Sequence, residues 1–258
     1  MDLSVIKQRN RTIALLFIGL IVITVFSMHV TDFNSLEALI ALPSAILWMV
    51  TSFYPNSESL VNLPSVLIKL KETVFLAIVT TTTASIVALL IALLSKRPSV
   101  IVAAICRLLA SASRNIPDVV WAIVLLFSFG QNIISGYFAI FFASFGFLTR
   151  AFIEAIDEAS SSAVEAIEAT GASYLQVVFQ AIIPSIITQI VSWVLFMIET
   201  NIRSSTLVGM LTATGVGHLF NLYYKSFDYH SASLVVLAIV TVILVIEYIS
   251  NYIRRVIL

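Results

Sequence analysis

The chain has 258 residues, of which 60% are hydrophobic and 11% charged, with 14 Lys+Arg balancing 14 Asp+Glu. Soluble domains carry about 25% charge, and with a mean hydropathy of +1.05 this chain has more apolar surface than a fold of its size buries. The bilayer is therefore its solvent, the zero net charge speaks against a nucleic-acid partner, and the single cysteine, Cys106, excludes a disulfide framework or a cysteine-based metal cluster.

A membrane-crossing helix needs about 20 mostly apolar residues. Residues 12–31 are the first such run, preceded by Lys7, Arg9 and Arg11. The run ends at Val30-Thr31-Asp32 without a small-residue cleavage site, so it reads as a retained helix rather than a signal peptide. Residues 36–56 are also nearly free of charge but are interrupted by Pro43 and Pro55, and Trp48, Phe53 and Tyr54 suit a membrane boundary. They read as interfacial. Residues 73–95 form the cleanest span, closed by Lys96, Arg97 and Pro98.

From Val119 to Thr149 no charge occurs, too long a run for one ordinary span. Gly130-Gln131-Asn132 and Ser135-Gly136 in its middle favour a turn, so two spans are expected at 116–131 and 136–153. The next uncharged stretch is divided by Pro184, leaving a span at 185–200, and the last runs over 231–253 into Arg254-Arg255. With six spans, ten of the 14 basic residues share one face: Lys7, Arg9, Arg11, Lys96, Arg97, Arg107, Arg114, Arg150, Arg254 and Arg255. Lys69, Lys71, Arg203 and Lys225 lie elsewhere. The positive-inside rule then makes both termini cytoplasmic.

On that topology residues 154–184 are the longest cytoplasmic loop. Ser160-Ser161-Ser162 and AVEAIEATGASYLQVVFQAIIP favour two short helices meeting at Gly171. Held outside the bilayer, such a pair offers either a plain connection or a surface for a soluble partner. Here Glu165-Ala166, Gly171 six residues on and Pro184 thirteen further resemble the E-A-A…G…(I-x-L-P) loop of ABC-importer permeases, with Ile167, Ala181 and Ile183 departing from the pattern. Glu199-Thr-Asn201-Ile-Arg203-Ser-Ser-Thr-Leu-Val-Gly209, followed by Thr214-Gly215-Val-Gly217, resembles the E-x-N-x-R-S-A-T…G…G-x-G segment of phosphonate ABC transporter permeases. Arg114-Asn-Ile-Pro117-Asp118-Val-Val-Trp121-Ala122 is similar to that subfamily's R-x-I-x-E-x-V-x-A stretch. The resemblance covers about residues 70 to 258.

It implies an all-α polytopic membrane protein with six transmembrane helices, a type I ABC-importer-like permease fold, in the cell membrane. It also implies a transport subunit rather than an enzyme: one of two permease subunits, identical or paralogous, seated on two ABC ATPases that bind ATP and Mg and served by an external substrate-binding protein. No cofactor is expected on this chain. Coupling to the ATPases is expected from Glu165, Ala166, Glu168, Gly171 and Pro184, and transport of phosphonate or a related phosphorus oxyanion from the second motif. The alternative is a stand-alone secondary transporter or channel for a small anion.

Independently of the family, Glu199 and Arg203 stand four residues apart, so helical extension sets them on one face. Charges near the hydrocarbon usually pair or line a polar pathway. The two readings are an interfacial ion pair, or an arginine that attracts or gates an anion with help from Asn201, Ser204, Ser205 and Thr206. A guanidinium suits an oxyanion because its planar fork bonds two oxygens at once. Gly209, Gly215 and Gly217 follow without a GK[ST] element, which favours close packing or a broken helix near the pathway over phosphate cradling. No Walker motif is present, so the chain cannot hydrolyse ATP itself. Thr80 to Thr83 with Ser85 form a polar stripe whose simplest role is to bond back to its own helix.

Overall fold

The computed structural model describes residues 3–95, 100–158 and 161–257; Lys96, Arg97, Pro98 and Ser160 lie outside them. The described residues are helical throughout, without a strand. They fall into two compact units, Met1–Phe53 and Tyr54–Leu258.

The first unit holds α1 (Leu3–Val30) and α2 (Ser35–Ser52). α1 is ended by Asp32 at a positive φ of 51°, and Asn34 starts α2 by accepting the Glu37 N–H on its side chain at 3.2 Å. α2 retains Pro43 inside a helix of 18 residues, long and apolar enough to cross a bilayer. Residues 36–56, read from the sequence as interfacial, are thus mostly one helix. Proline interrupts helices in water, yet is tolerated in membrane helices, where local adjustments and side chains satisfy the freed backbone groups. The Ser44 hydroxyl donates to Ala41 O at 2.8 Å beside it.

The second unit is built on three long helices: α3 (Leu63–Leu94), α6 (Ile133–Glu158) and α9 (Ile183–Thr212). Small residues along α3 (Ala77, Ala84, Ala88 and Ala92, none of them exposed) bring its backbone close to its neighbours. Without a hydrophobic drive between helices in lipid, that close approach supplies the packing energy. α4 (Val100–Asn115) and α5 (Asp118–Phe129) meet at a 93° bend before Pro117, whose ring forbids continuation. At 12 residues α5, which occupies the span expected at 116–131, is shorter than an ordinary span, and it is the bent α4–α5 pair together that is long and apolar enough to cross. Among the described residues six helices are long and apolar enough to cross, α2 among them, or seven if the bent pair counts as one.

Between α5 and α6, Gly130 takes φ +78°, and the Asn132 carboxamide accepts the N–H groups of Ile134 and Ser135 at 2.9 and 3.0 Å. The chain then forms α7 (Ser161–Glu168) and α8 (Tyr174–Val177), a π-helical turn over Val178–Ile182, and α9. Pro184, in the first turn of α9, has no N–H to give, and the wider turn before it carries the Ile183 N–H to Val178 O. α10 (Gly215–Lys225) and α11 (Tyr229–Ile257) complete the unit.

Candidate functional site

α9 runs from Ile183 to Thr212, through and beyond the span expected at 185–200. Glu199, Asn201, Arg203, Ser204 and Thr206 therefore sit inside a 30-residue helix, in its second half, with Glu199 about 20 Å and Thr206 about 9 Å from the C-terminal end at 1.5 Å per residue.

Asn201 is buried, and its side-chain N–H groups donate to Thr81 Oγ1 and Ser144 Oγ, both at 2.7 Å. The Thr81 hydroxyl spends its own proton on Ala77 O at 2.7 Å, which leaves its lone pairs for Asn201. One carboxamide thus ties α9 to α3 and α6 at mid-height. Ser205, also buried, donates to Asn201 O at 2.5 Å. The threonine stripe on α3 bonds largely to its own backbone: Thr82 to Ile78 O at 2.8 Å, Thr83 to Val79 O at 2.9 Å and Ser85 to Thr81 O at 2.6 Å. Thr83 also reaches Tyr137 Oη at 2.8 Å.

Glu199 and Arg203 pair across one turn, with Arg203 Nη2 donating to Glu199 Oε1 at 2.5 Å. The Arg203 side chain is 54% exposed and that of Glu199 only 13%. The other carboxylate oxygen, Oε2, lies 3.9 Å from Arg254 Nη2, near the end of α11. The sequence placed Arg254 on the cytoplasmic face and Arg203 elsewhere; the fold brings both to one carboxylate. α11 is long enough, at 29 residues, to bring its last turns level with the middle of α9. Ser204 is partly buried, and so is Thr206, whose hydroxyl donates to Ile202 O at 3.3 Å.

Above this level glycine sets the packing. A Cβ on Gly217 would collide with Thr206 O and come within 2.9 Å of Met210 N, and one on the buried Gly209 would collide with Thr214 O. The start of α10 is held by α3: Gly215 N donates to Glu72 Oε1 at 3.1 Å and Val216 N to Thr73 Oγ1 at 2.8 Å. These acceptors cover amides that a helix start otherwise leaves unmet, and the carboxylate suits its positive end. Neither Glu72 nor Thr73 stands out in the sequence, since their partner lies 143 residues away.

At the opposite end of α9, α7 turns Val164 and Ile167 onto the core under α3 and α6, which leaves Glu165, Ala166 and Glu168 exposed on its outer side. Gly171 takes φ +80° between α7 and α8, and a Cβ there would meet nothing within 4 Å. Its requirement is conformational rather than steric. The Gln176 side chain accepts from Ser173 N at 2.7 Å and Ser173 Oγ at 2.9 Å, fixing the start of α8. Leu175 and Phe179 are 61% and 66% exposed, so this end presents acidic and apolar groups together. Pro184 is exposed at the foot of α9, apart from the α7 face.

A family model described as "Binding-protein-dependent transport system inner membrane component" matches residues 84–257. The chain is 27% identical over 190 residues to the phosphate-import permease protein PhnE of Mycolicibacterium smegmatis, a match over 72% of this chain but only 36% of that relative's length. It is 26% identical over 255 residues to the putative phosphite transport system permease protein HtxC of Stutzerimonas stutzeri, covering 98% of this chain and 88% of the relative. Among solved structures it is similar to the inward-facing MetNI methionine ABC transporter, with a TM-score of 0.66 at 19% identity over 75% of this chain and 96% of that one.

Proposed function

The chain belongs to the inner-membrane components of binding-protein-dependent transport systems, as a multi-pass permease subunit of an ABC importer and not an enzyme, and from that premise we propose that it forms the pathway for a phosphorus oxyanion such as phosphonate, phosphite or phosphate. The observation that carries this reading is Arg203. A guanidinium about two-thirds of the way along a helix long and apolar enough to cross the membrane, with more than half its side chain uncovered, costs about 2.5 kcal/mol or more if it faces hydrocarbon at the bilayer centre. It faces a polar route or another protein surface instead, and its fork matches a tetrahedral oxyanion. The curated relatives named for phosphate import and phosphite transport support the same substrate class.

In this reading a second permease subunit, identical or paralogous, completes the pathway, and an external binding protein delivers the anion. Two ABC ATPases seat against α7 and α8, with Glu165, Ala166 and Glu168 at the contact and Gly171 setting the angle between the helices; Pro184 fixes where α9 departs. ATP and Mg bind those partners, and their closure moves the pair of short helices as a unit that switches the pathway by rigid-body motion.

The test has two stages. The tagged chain is purified from its native membrane in mild detergent, and an ABC ATPase is expected to copurify. The recovered complex, with its binding protein, is then placed in proteoliposomes and offered labelled phosphite, methylphosphonate and phosphate. ATP-dependent accumulation of one of them is the expected result. Recovery of the chain alone, or uptake that ignores ATP, would shift the reading to a stand-alone transporter or channel.

A further inference from the structure

The Glu199 carboxylate faces two guanidiniums and satisfies one. Arg203 has its hydrogen bond at 2.5 Å, whereas Arg254 Nη2 stands 3.9 Å from Oε2, beyond hydrogen-bond reach. Arg254 Nε is buried and has no acceptor among the described residues. Buried donors in folded proteins are nearly always met, and an unmet one asks for a missing partner. Two cations against one anion also leave the cluster a positive charge in excess.

We propose that Arg254 is the second guanidinium of an oxyanion subsite, and that the Glu199 carboxylate holds the place an anion takes during transport. The inference rests on the reading of Arg203 as a pathway residue and adds to it both a partner and a competitor. A carboxylate offers two oxygens on a stem anchored to α9, and it reaches only Arg203 closely. A phosphite or phosphonate offers its oxygens in a tetrahedral array free of any stem, so it can lie between α9 and α11 and accept from both arginines. Glu199 then acts as an internal competitor: it keeps the two cations neighbours while the subsite is empty and weakens retention of the anion when it is full. Conduction needs that balance between entry and release.

The experiment is 31P line broadening of phosphite by the assembled importer in lipid nanodiscs, without the external binding protein. Glu199→Gln removes the competitor and is expected to tighten phosphite binding about tenfold. Arg254→Gln is expected to weaken it about tenfold, and Glu199→Gln/Arg254→Gln to remain weak. If Arg254 were only a structural ion-pair partner, the neutral double variant would recover the affinity of Glu199→Gln alone, which overturns the proposal. So does native binding by Arg254→Gln, or an affinity unchanged by Glu199→Gln. If Arg254→Gln does not assemble, Arg254→Lys keeps the charge but loses the fork, and native affinity in that variant counts against the subsite. The underlying reading fails separately: Arg203→Ala with normal ATP-driven uptake removes it, whereas loss of uptake in Arg203→Ala beside native phosphite binding in Arg254→Gln overturns the role of Arg254 alone.

Discussion

Asn201 and Arg203 are two residues apart on α9, yet they occupy opposite kinds of environment. Asn201 is enclosed, with each of its two N–H donors on a hydroxyl, one from α3 and one from α6. Arg203 stands on the uncovered side, paired to a carboxylate that is itself shared with Arg254. In the first place polarity is used up in holding helices together; in the second it is left over. A fully satisfied buried network rigidifies its surroundings, and surplus charge on a membrane helix marks a route for something charged. On the proposed reading the two neighbouring polar residues have separable jobs, one architectural and one functional.

The largest effect that would break this separation is expected at the glycine crossing that orients both. Gly217→Val puts a branched side chain where Thr206 O already lies, and backbone cannot yield as a side-chain tip does. Loss of folded, detergent-stable protein is expected, measured by the monodisperse fraction in size-exclusion chromatography. Next comes Arg203→Ala: ATP-driven uptake of phosphite should fall by at least about tenfold while the amount of assembled complex stays native. Asn201→Leu should do the reverse. It withdraws both donors from Thr81 and Ser144, for an expected loss of about 1–3 kcal/mol read as a lowered thermal midpoint, with uptake per assembled complex within about twofold of native. Gly171→Val forces a β-branched residue to φ +80°, at about 1–3 kcal/mol of local strain. It should displace α7 against α8, so that ATP hydrolysis continues while uptake per ATP drops severalfold. The smallest effect is expected from Thr83→Val, which removes the hydroxyl contact to Tyr137 at 2.8 Å, a change of about 1 kcal/mol visible only in the thermal midpoint.

Composition and charge-free runs made the all-helical membrane class legible, because only helices and closed barrels satisfy the backbone in a bilayer, and continuous apolar runs of about 20 residues fit helices rather than alternating strands. The i,i+4 relation of Glu199 and Arg203 was also legible, since it is a local property of any helix. Helix ends were harder. Charge at Glu199 bounded the expected span near residue 200 but says nothing of where the helix ends; α9 continues to Thr212, and the polar groups after Glu199 are met within the unit: Asn201 by Thr81 and Ser144, Ser205 by Asn201 O, Thr212 by Val208 O at 3.0 Å. Pro43 interrupts the apolar run over 36–56 in the sequence, and α2 keeps it inside a helix. Arg254 could not be joined to Glu199 from the sequence, because 55 residues and the whole of α10 separate them and only the register of α11 against α9 creates the contact. The same holds for Glu72 and Thr73 at the start of α10.

The most direct test of the division between Asn201 and Arg203 is to measure ATP-driven phosphite uptake per assembled complex for Asn201→Leu and Arg203→Ala side by side in proteoliposomes. Near-native uptake per complex is expected for the first, with a lowered thermal midpoint, and at least about a tenfold loss for the second at native stability. Native uptake by a well-assembled Arg203→Ala importer would contradict that division.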